Sequence, residues 1–149
     1  MRMIKKLITI VLLLTAIITV NAQTKKKLIG KWETTYEEDG EKAIVTYEFK
    51  YVKGVLKCYS TYIKGDNGEE GKYDSLVMTN ISLKEGKGNA KYMYNDDGDG
   101  DGDGDGDGEN YVFKANLNMK NENILNVSYS YWGYSNTEIW KRKKHSKTK

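Results

Sequence analysis

A run of alternating carboxylates and glycines is the part of this sequence whose residue types point most directly to chemistry. Residues 97–108 are six consecutive Asp-Gly pairs. Such a run resembles a calcium loop, and Asp99, Asp101 and Asp103 match ligand positions 1, 3 and 5 of the EF-hand pattern. Position 12 of that pattern falls on Asn110, where a bidentate Glu is required. We therefore expect weak, non-stoichiometric Ca²⁺ binding, and calorimetry that finds one stoichiometric site would contradict this. Expansion of a repeat in a tolerant hairpin loop explains the run better than selection for calcium.

Groups suited to catalysis are scarce. Cys58 is the only cysteine and His145 the only histidine, and the histidine lies in a basic tail at the end of the chain. Neither a Cys-His nucleophile nor a His/Cys zinc site can be assembled from one of each. Glycosidases pair two carboxylates, but no spacing singles out such a pair here. Glu48 and Glu138 occupy strand positions that predict solvent-facing side chains. We expect a protein that is not an enzyme and has no cofactor.

Tyrosine is the aromatic residue that this chain uses most. All 12 tyrosines follow residue 22, and the chain has only two phenylalanines. On an inward-facing surface they would supply both aromatic rings and hydroxyls that need partners. Such a lumen would suit a small ligand with polar edges better than a fatty acid, although the same rings could instead simply fill the core. The lumen candidates are Tyr47, Tyr51, Tyr59, Tyr92, Tyr111, Tyr129 and Tyr131.

The elements that position these residues are strands. Apolar and polar residues alternate with period two after residue 22, most clearly in 111–119 and 125–131, and Gly, Asn and Asp punctuate the pattern. The pattern predicts eight strands, at about 28–36, 42–52, 55–63, 71–83, 89–95, 110–120, 124–131 and 137–143. Short connections make consecutive strands antiparallel neighbours. With no helix to cover the apolar face, the sheet must form a sandwich or close. We predict an all-β, eight-stranded antiparallel up-and-down barrel.

The first 22 residues predict export. Basic residues precede an apolar run at 7–20, and Val20-Asn21-Ala22 offers the small-x-small pattern of a signal peptidase site. The apolar run is shorter than the roughly 20 residues that cross a bilayer. We therefore predict a cleaved signal peptide and a secreted or periplasmic protein, with no transmembrane segment after cleavage.

Charge and domain organisation follow from this cleavage. Without Arg2, Lys5 and Lys6, the basic and acidic residues balance at 21 each, so the basic isoelectric point indicates no nucleic-acid partner. We divide the chain into a signal peptide (1–22), one barrel domain (23–143) and a basic C-terminal tail (144–149). The domain includes an acidic Asp-Gly loop at 96–109. No pattern in the sequence specifies an oligomeric state.

Both ends of the barrel domain carry a resemblance to a known family. Gly30-Lys31-Trp32 lies in the first predicted strand, and Trp140-Lys141-Arg142 ends the last one. This arrangement resembles the lipocalins, or calycins more broadly, in which a Gly-x-Trp packs beneath the barrel and an Arg or Lys from the last strand crosses it. The ending is also similar to that of small secreted bacterial barrels.

The resemblance implies that Gly30, Trp32 and Arg142 close the barrel, and that its lumen is a binding pocket or a filled descendant of one. We expect an exported protein that binds a small amphipathic ligand without catalysis. The alternative is a filled barrel that acts through its surface, as an envelope or interaction protein.

The export prediction can be checked directly. Cleavage after Ala22 makes Gln23 the first residue of the mature chain. N-terminal sequencing of protein from envelope and medium fractions should find that terminus. Recovery of intact Met1 in a membrane pellet would contradict it.

Overall fold

The structure is a computed structural model that describes residues 25–95 and 110–144. Eight strands follow one another along the chain: β1 (Gly30–Glu38), β2 (Glu41–Val52), β3 (Val55–Gly65), β4 (Glu70–Lys84), β5 (Lys87–Asn95), β6 (Asn110–Asn121), β7 (Ile124–Tyr131) and β8 (Tyr134–Arg142). Each strand pairs with the next, and β8 pairs antiparallel with β1, so the sheet is a closed barrel. The eight-stranded antiparallel barrel predicted from the sequence is confirmed. In the described part of the chain, no helix combines the length and apolar character needed to span a membrane.

Several predicted features lie outside the described residues. They are the signal peptide (1–22), the acidic loop (96–109) with Asp99, Asp101 and Asp103, and most of the tail with His145.

Four hairpins share one turn geometry. Asp39-Gly40, Lys53-Gly54, Glu85-Gly86 and Trp132-Gly133 each have positive φ at both residues. This is the signature of the two-residue type I′ turn, whose twist matches that of paired strands, and its second position favours glycine. Because the last turn needs only Trp132 and Gly133, β8 begins at Tyr134, three residues before the predicted start at 137.

Large side chains fill one end of the barrel, which we call the closed end. It lies beside the β2–β3, β4–β5 and β6–β7 turns. Its fully buried side chains include Leu28, Trp32, Phe49, Leu83, Leu117, Leu125 and Trp140. Leu28 belongs to a short helical turn before β1 and packs into the core at this end. Cys58 is also fully buried here as a free thiol, and packs as a small hydrophobe in this core.

The seam between the first and last strands lies at this closed end. There Trp32 pairs with Arg142 and Glu33 with Lys141. The Arg142 guanidinium lies over the Trp32 ring, 4.2 Å from its centroid, a cation–π arrangement for which the planar guanidinium is well suited. The indole N–H of Trp32 donates to the Leu28 carbonyl at 2.8 Å.

Through its N–H groups, Arg142 also joins the end of β8 to the β6–β7 turn and to the segment that precedes β1. These N–H groups donate to the carbonyl oxygens of Glu122 at 2.7 Å, Ile29 at 2.9 Å and Lys27. Gly30 adopts φ +112°, and a Cβ there would lie 3.4 Å from a guanidinium nitrogen, so the glycine permits both the backbone turn and the close approach. The three residues of the resemblance therefore meet at one point.

Truncating Trp32 should destabilise the barrel severely. Trp32→Ala removes a fully buried ring and leaves the guanidinium without its platform, so we expect a loss of about 3–5 kcal/mol in the free energy of unfolding. Arg142→Lys should cost less, because an ammonium stacks poorly but keeps one donor. Chemical denaturation measures both. Trp132→Ala is the matched control: that ring is 82% exposed and its loss should change stability by at most about 0.5 kcal/mol. Equal melting of Trp32→Ala and the parent would contradict the closure argument.

Candidate ligand site in the barrel lumen

The open half of the barrel is hollow. A cavity of about 670 Å³ lies between the core at the closed end and the opposite rim. One side is an aromatic wall, formed by Tyr92, Phe113, Tyr129 and Tyr131. Phe113 stands at its centre, with ring centroids 5.1 Å from Tyr92, 5.1 Å from Tyr129 and 6.0 Å from Tyr131. These offset and tilted rings give the cavity a broad apolar surface.

The floor of the cavity is a pair of stacked rings. Tyr47 lies parallel to Trp140, with centroids 4.0 Å apart and planes 3° from parallel. The Phe49 ring also packs against Trp140, with ring centroids 6.0 Å apart. Because Trp140 is fully buried in the core, it holds Tyr47 in place and separates the hollow half from the filled one.

A buried carboxylate faces this cavity. Glu138 is 6% exposed and lines the lumen. It accepts hydrogen bonds from the Tyr36 hydroxyl at 2.8 Å, the Tyr129 hydroxyl at 2.7 Å and the Trp140 indole N–H at 2.7 Å. All three partners act as donors, so the two carboxylate oxygens of Glu138 accept every one of these hydrogen bonds. We call Glu138, Tyr36, Tyr47, Tyr129 and Trp140 the carboxylate network.

The carboxylate fixes the direction of the neighbouring hydroxyls. Tyr36 has one hydroxyl hydrogen, which it donates to Glu138. Its second contact, at 2.8 Å from the Tyr47 hydroxyl, must therefore be one in which Tyr47 donates. Tyr129 likewise donates to Glu138, and its oxygen accepts a hydrogen bond from the Asn136 amide at 3.1 Å. The O–H dipoles of the network all run towards Glu138, so hydroxyl lone pairs point away from it.

Burial shifts the acidity of the lumen tyrosines. It is the main reason that the pKa of Tyr129 rises to about 12, with a further contribution from its hydrogen bond to Glu138. Burial also raises the pKa of Tyr36, Tyr47 and Tyr92 far above the ordinary value for a phenol, with additional repulsion from Glu138. These hydroxyls are therefore neutral donors and acceptors at physiological pH.

A second cavity, of about 950 Å³, forms the mouth above the lumen, between the β1–β2 turn and the β3–β4 loop. Tyr36, Ile63 and Tyr73 line both cavities. The charged residues of the mouth are Asp39, Glu41, Asp66, Glu69, Glu70 and Lys42. Lys42 lies 3.3 Å from the Glu37 carboxylate. Negative charge therefore predominates at the entrance.

Five of the seven tyrosines proposed from the sequence line the lumen cavity. They are Tyr47, Tyr92, Tyr111, Tyr129 and Tyr131. Tyr59 was predicted wrongly: the preceding residue, Cys58, is fully buried, and neighbours in a strand face opposite sides. The Tyr59 ring instead lies outside the barrel, 4.5 Å from the Lys50 ammonium. Tyr51 was also wrong, because it lies beside the Lys53-Gly54 turn and is 46% exposed.

The prediction that Glu138 faces solvent is wrong as well, whereas Glu48 is partly exposed on the outer face near Lys50. Alternation in β8 places Glu138 on the same face as Trp140, and leaves Ile139 53% exposed on the other. The fully buried Trp140 was the signal that could have found Glu138. Sequence reasoning also missed Tyr36, which shares its inward face with Trp32.

No group of three or more His, Cys, Asp or Glu side chains suited to a metal ion occurs among residues 25–95 and 110–144. The lumen has one apolar wall and one polar corner, a composition that is common in small-molecule pockets.

Comparisons with known proteins add little beyond the fold. No protein-family model matches the chain, and no curated protein matches it. A solved structure of a redesigned β-barrel, mFAP1, bound to DFHBI, is 13% identical, with a TM-score of 0.49 over 80% of this chain and 98% of that one. A similarity at this level supports no inference about ligands.

Alkaline pH should destabilise the barrel through these tyrosines. In the unfolded chain a tyrosine ionises near pH 10, whereas in the folded barrel the pKa of Tyr129 is about 12 and the other three lie higher. Neutral hydroxyls therefore stabilise the fold fully below about pH 10, and this contribution is lost as the pH rises towards and through 12. Denaturant titrations across this window should show a falling free energy of unfolding. The phenolate absorbance of the folded protein should appear at a higher pH than that of free tyrosine. Constant stability there would contradict a buried hydroxyl network.

Proposed function

We propose that this chain is an exported, lipocalin-like binding protein that holds a small amphipathic ligand in the open half of its barrel without catalysis. The observation that carries the proposal is the cavity of about 670 Å³ that joins the aromatic wall to the carboxylate network. A volume of this size is typical of pockets that enclose small molecules. An apolar wall with a few convergent polar groups is the usual composition of such sites.

The shape of the site suggests how the ligand lies. Phe113 and Tyr92 are stacked, with planes 12° from parallel, and together line one face of the lumen. A flat apolar body can rest against this face, while its polar edge reaches the hydroxyls of Tyr36 and Tyr47. The closed end limits the depth of entry, because Trp140 and Phe49 pack beneath Tyr47. We infer a compact ligand rather than a long acyl chain.

Export and lack of catalysis are parts of the same proposal. Export rests on the signal-like segment at 1–22. The non-catalytic role rests on the site itself, where the buried Glu138 carboxylate accepts hydrogen bonds from three neutral donors. Among residues 25–95 and 110–144, no second carboxylate that could act with it lines the lumen.

A second candidate function is recognition through the surface. Trp132 and Tyr134, on the β7–β8 hairpin, are 82% and 80% exposed. Trp132 is stacked on Tyr131, with centroids 5.3 Å apart. Exposed aromatic residues at a rim are typical of contact surfaces. Trp132→Ala should leave binding in the lumen intact if the pocket is the functional site.

Binding in the lumen can be tested with a neutral probe and matched tyrosine variants. Native mass spectrometry of protein from its own host would first reveal any ligand that co-purifies. Calorimetry with 2-naphthylmethanol should show one site, and Tyr131→Ala should weaken it about tenfold, since one aromatic contact of about 1–1.5 kcal/mol is lost.

Tyr59→Ala is the control for that experiment, because Tyr59 lies on the outer face of the same barrel. It should leave the probe affinity unchanged. Equal effects of the two substitutions, or a parent protein that takes up neither probe nor native ligand, would count against a ligand site in the lumen.

A further inference from the structure

We propose that the lumen selects a small organic cation, whose positive group lies beside Glu138 and whose apolar body rests against the aromatic wall. This inference rests on the proposed function and specifies its ligand class. It draws on the charge of the buried carboxylate, the polarity of the hydroxyls around it, and the acidic mouth.

The first step concerns the uncompensated charge. Glu138 is 6% exposed, and its three hydrogen-bond partners are neutral groups. Within residues 25–95 and 110–144, no lysine or arginine forms an ion pair with it. A buried carboxylate held only by neutral donors has no opposite charge beside it, and burial of a carboxylate is unfavourable without one. A cation in the adjoining cavity would supply that opposite charge.

The second step concerns what the ligand meets first. Tyr36 donates its hydrogen to Glu138, and Tyr47 donates to Tyr36. The hydrogens of the Tyr36 and Tyr47 hydroxyls are therefore directed towards Glu138, and their oxygens are left to accept. A ligand that brings N–H groups can satisfy them, whereas a carboxylate or phosphate would meet lone pairs and a like charge.

The third step concerns the walls. The aromatic wall offers ring faces, which carry the negative end of the ring quadrupole. A cation near Tyr92 and Tyr129, whose centroids are 5.5 Å apart, would interact favourably with both. The same faces give an anion no comparable attraction.

The mouth acts in the same direction. Its carboxylates outnumber its single lysine, which is paired with Glu37. A cleft lined by one sign of charge raises the local concentration of the opposite ion and speeds its entry. The mouth thus adds negative charge at the entrance to the cavity that Glu138 lines.

The test compares three probes that share one body and differ in charge. These are 2-naphthylmethylammonium, 2-naphthylmethanol and 2-naphthoate, titrated calorimetrically into the intact chain at low and high salt. The parent should bind the cation at least about tenfold more tightly than the alcohol, because one charge contact is worth about fivefold in affinity in bulk water and far more at the lower dielectric of a protein site. It should bind the anion most weakly. High salt should narrow these differences.

Glu138→Gln tests the role of the carboxylate. It keeps the shape and removes the charge, so the preference for the cation over the alcohol should disappear while the alcohol still binds. Glu48→Gln is the matched control, since Glu48 lies on the outer face near Lys50. This variant should bind the three probes with the same order of affinities as the parent. If Glu138→Gln does not fold, the order in the parent still decides the charge preference.

The outcomes separate the two proposals. A parent that binds the alcohol as tightly as the cation, or the anion most tightly, overturns the charge preference and leaves the lumen site intact. A preference that survives in folded Glu138→Gln overturns the role of Glu138. Failure of all three probes to bind overturns both the cation proposal and the lumen site.

Discussion

Closure of the sheet between β1 and β8 is the constraint on which the rest of the structure depends. The register at this seam pairs Trp32 with Arg142. The Arg142 guanidinium stacks on the Trp32 ring and donates to three carbonyl oxygens from two other segments. An open sheet of the same strands would expose an apolar face and two edges. The seam therefore converts a meander of hairpins into an enclosed interior, and only an enclosed interior can contain a cavity.

The core at the closed end supports the groups that line the cavity. Trp140 belongs to both: it is buried in the core, carries Tyr47 on one face, and donates its N–H to Glu138. A carboxylate without such fixed donors would draw in water or protonate. Here each of its partners is anchored by the barrel wall, so the charge is held in a set position before any ligand arrives. Such preorganisation lowers the reorganisation that binding would otherwise require.

Alternation of apolar and polar residues was enough to predict the strands, their number and their antiparallel order. Gly30, Trp32 and Arg142 could be associated because first and last strands must meet in a barrel. The lumen was harder. Tyr59 was misplaced because its own type suggested an inward ring, although alternation from Cys58 excludes it. Glu138 was missed because charge predicts exposure on average, while a register anchored by Trp140 decides the individual case. Hydrogen-bond direction and cavity volume follow only from coordinates.

The division of the barrel into two ends separates the residues that hold the fold from those that line the cavity. The seam and the large core side chains lie at the closed end, whereas the cavity, the mouth and the connections Asp39-Gly40 and Trp132-Gly133 lie at the open one. Substitutions at the open end can change what enters without touching the packing that sustains the chain. One scaffold could thus diversify its guests quickly during evolution, and the same property recommends it as a starting point for engineered receptors.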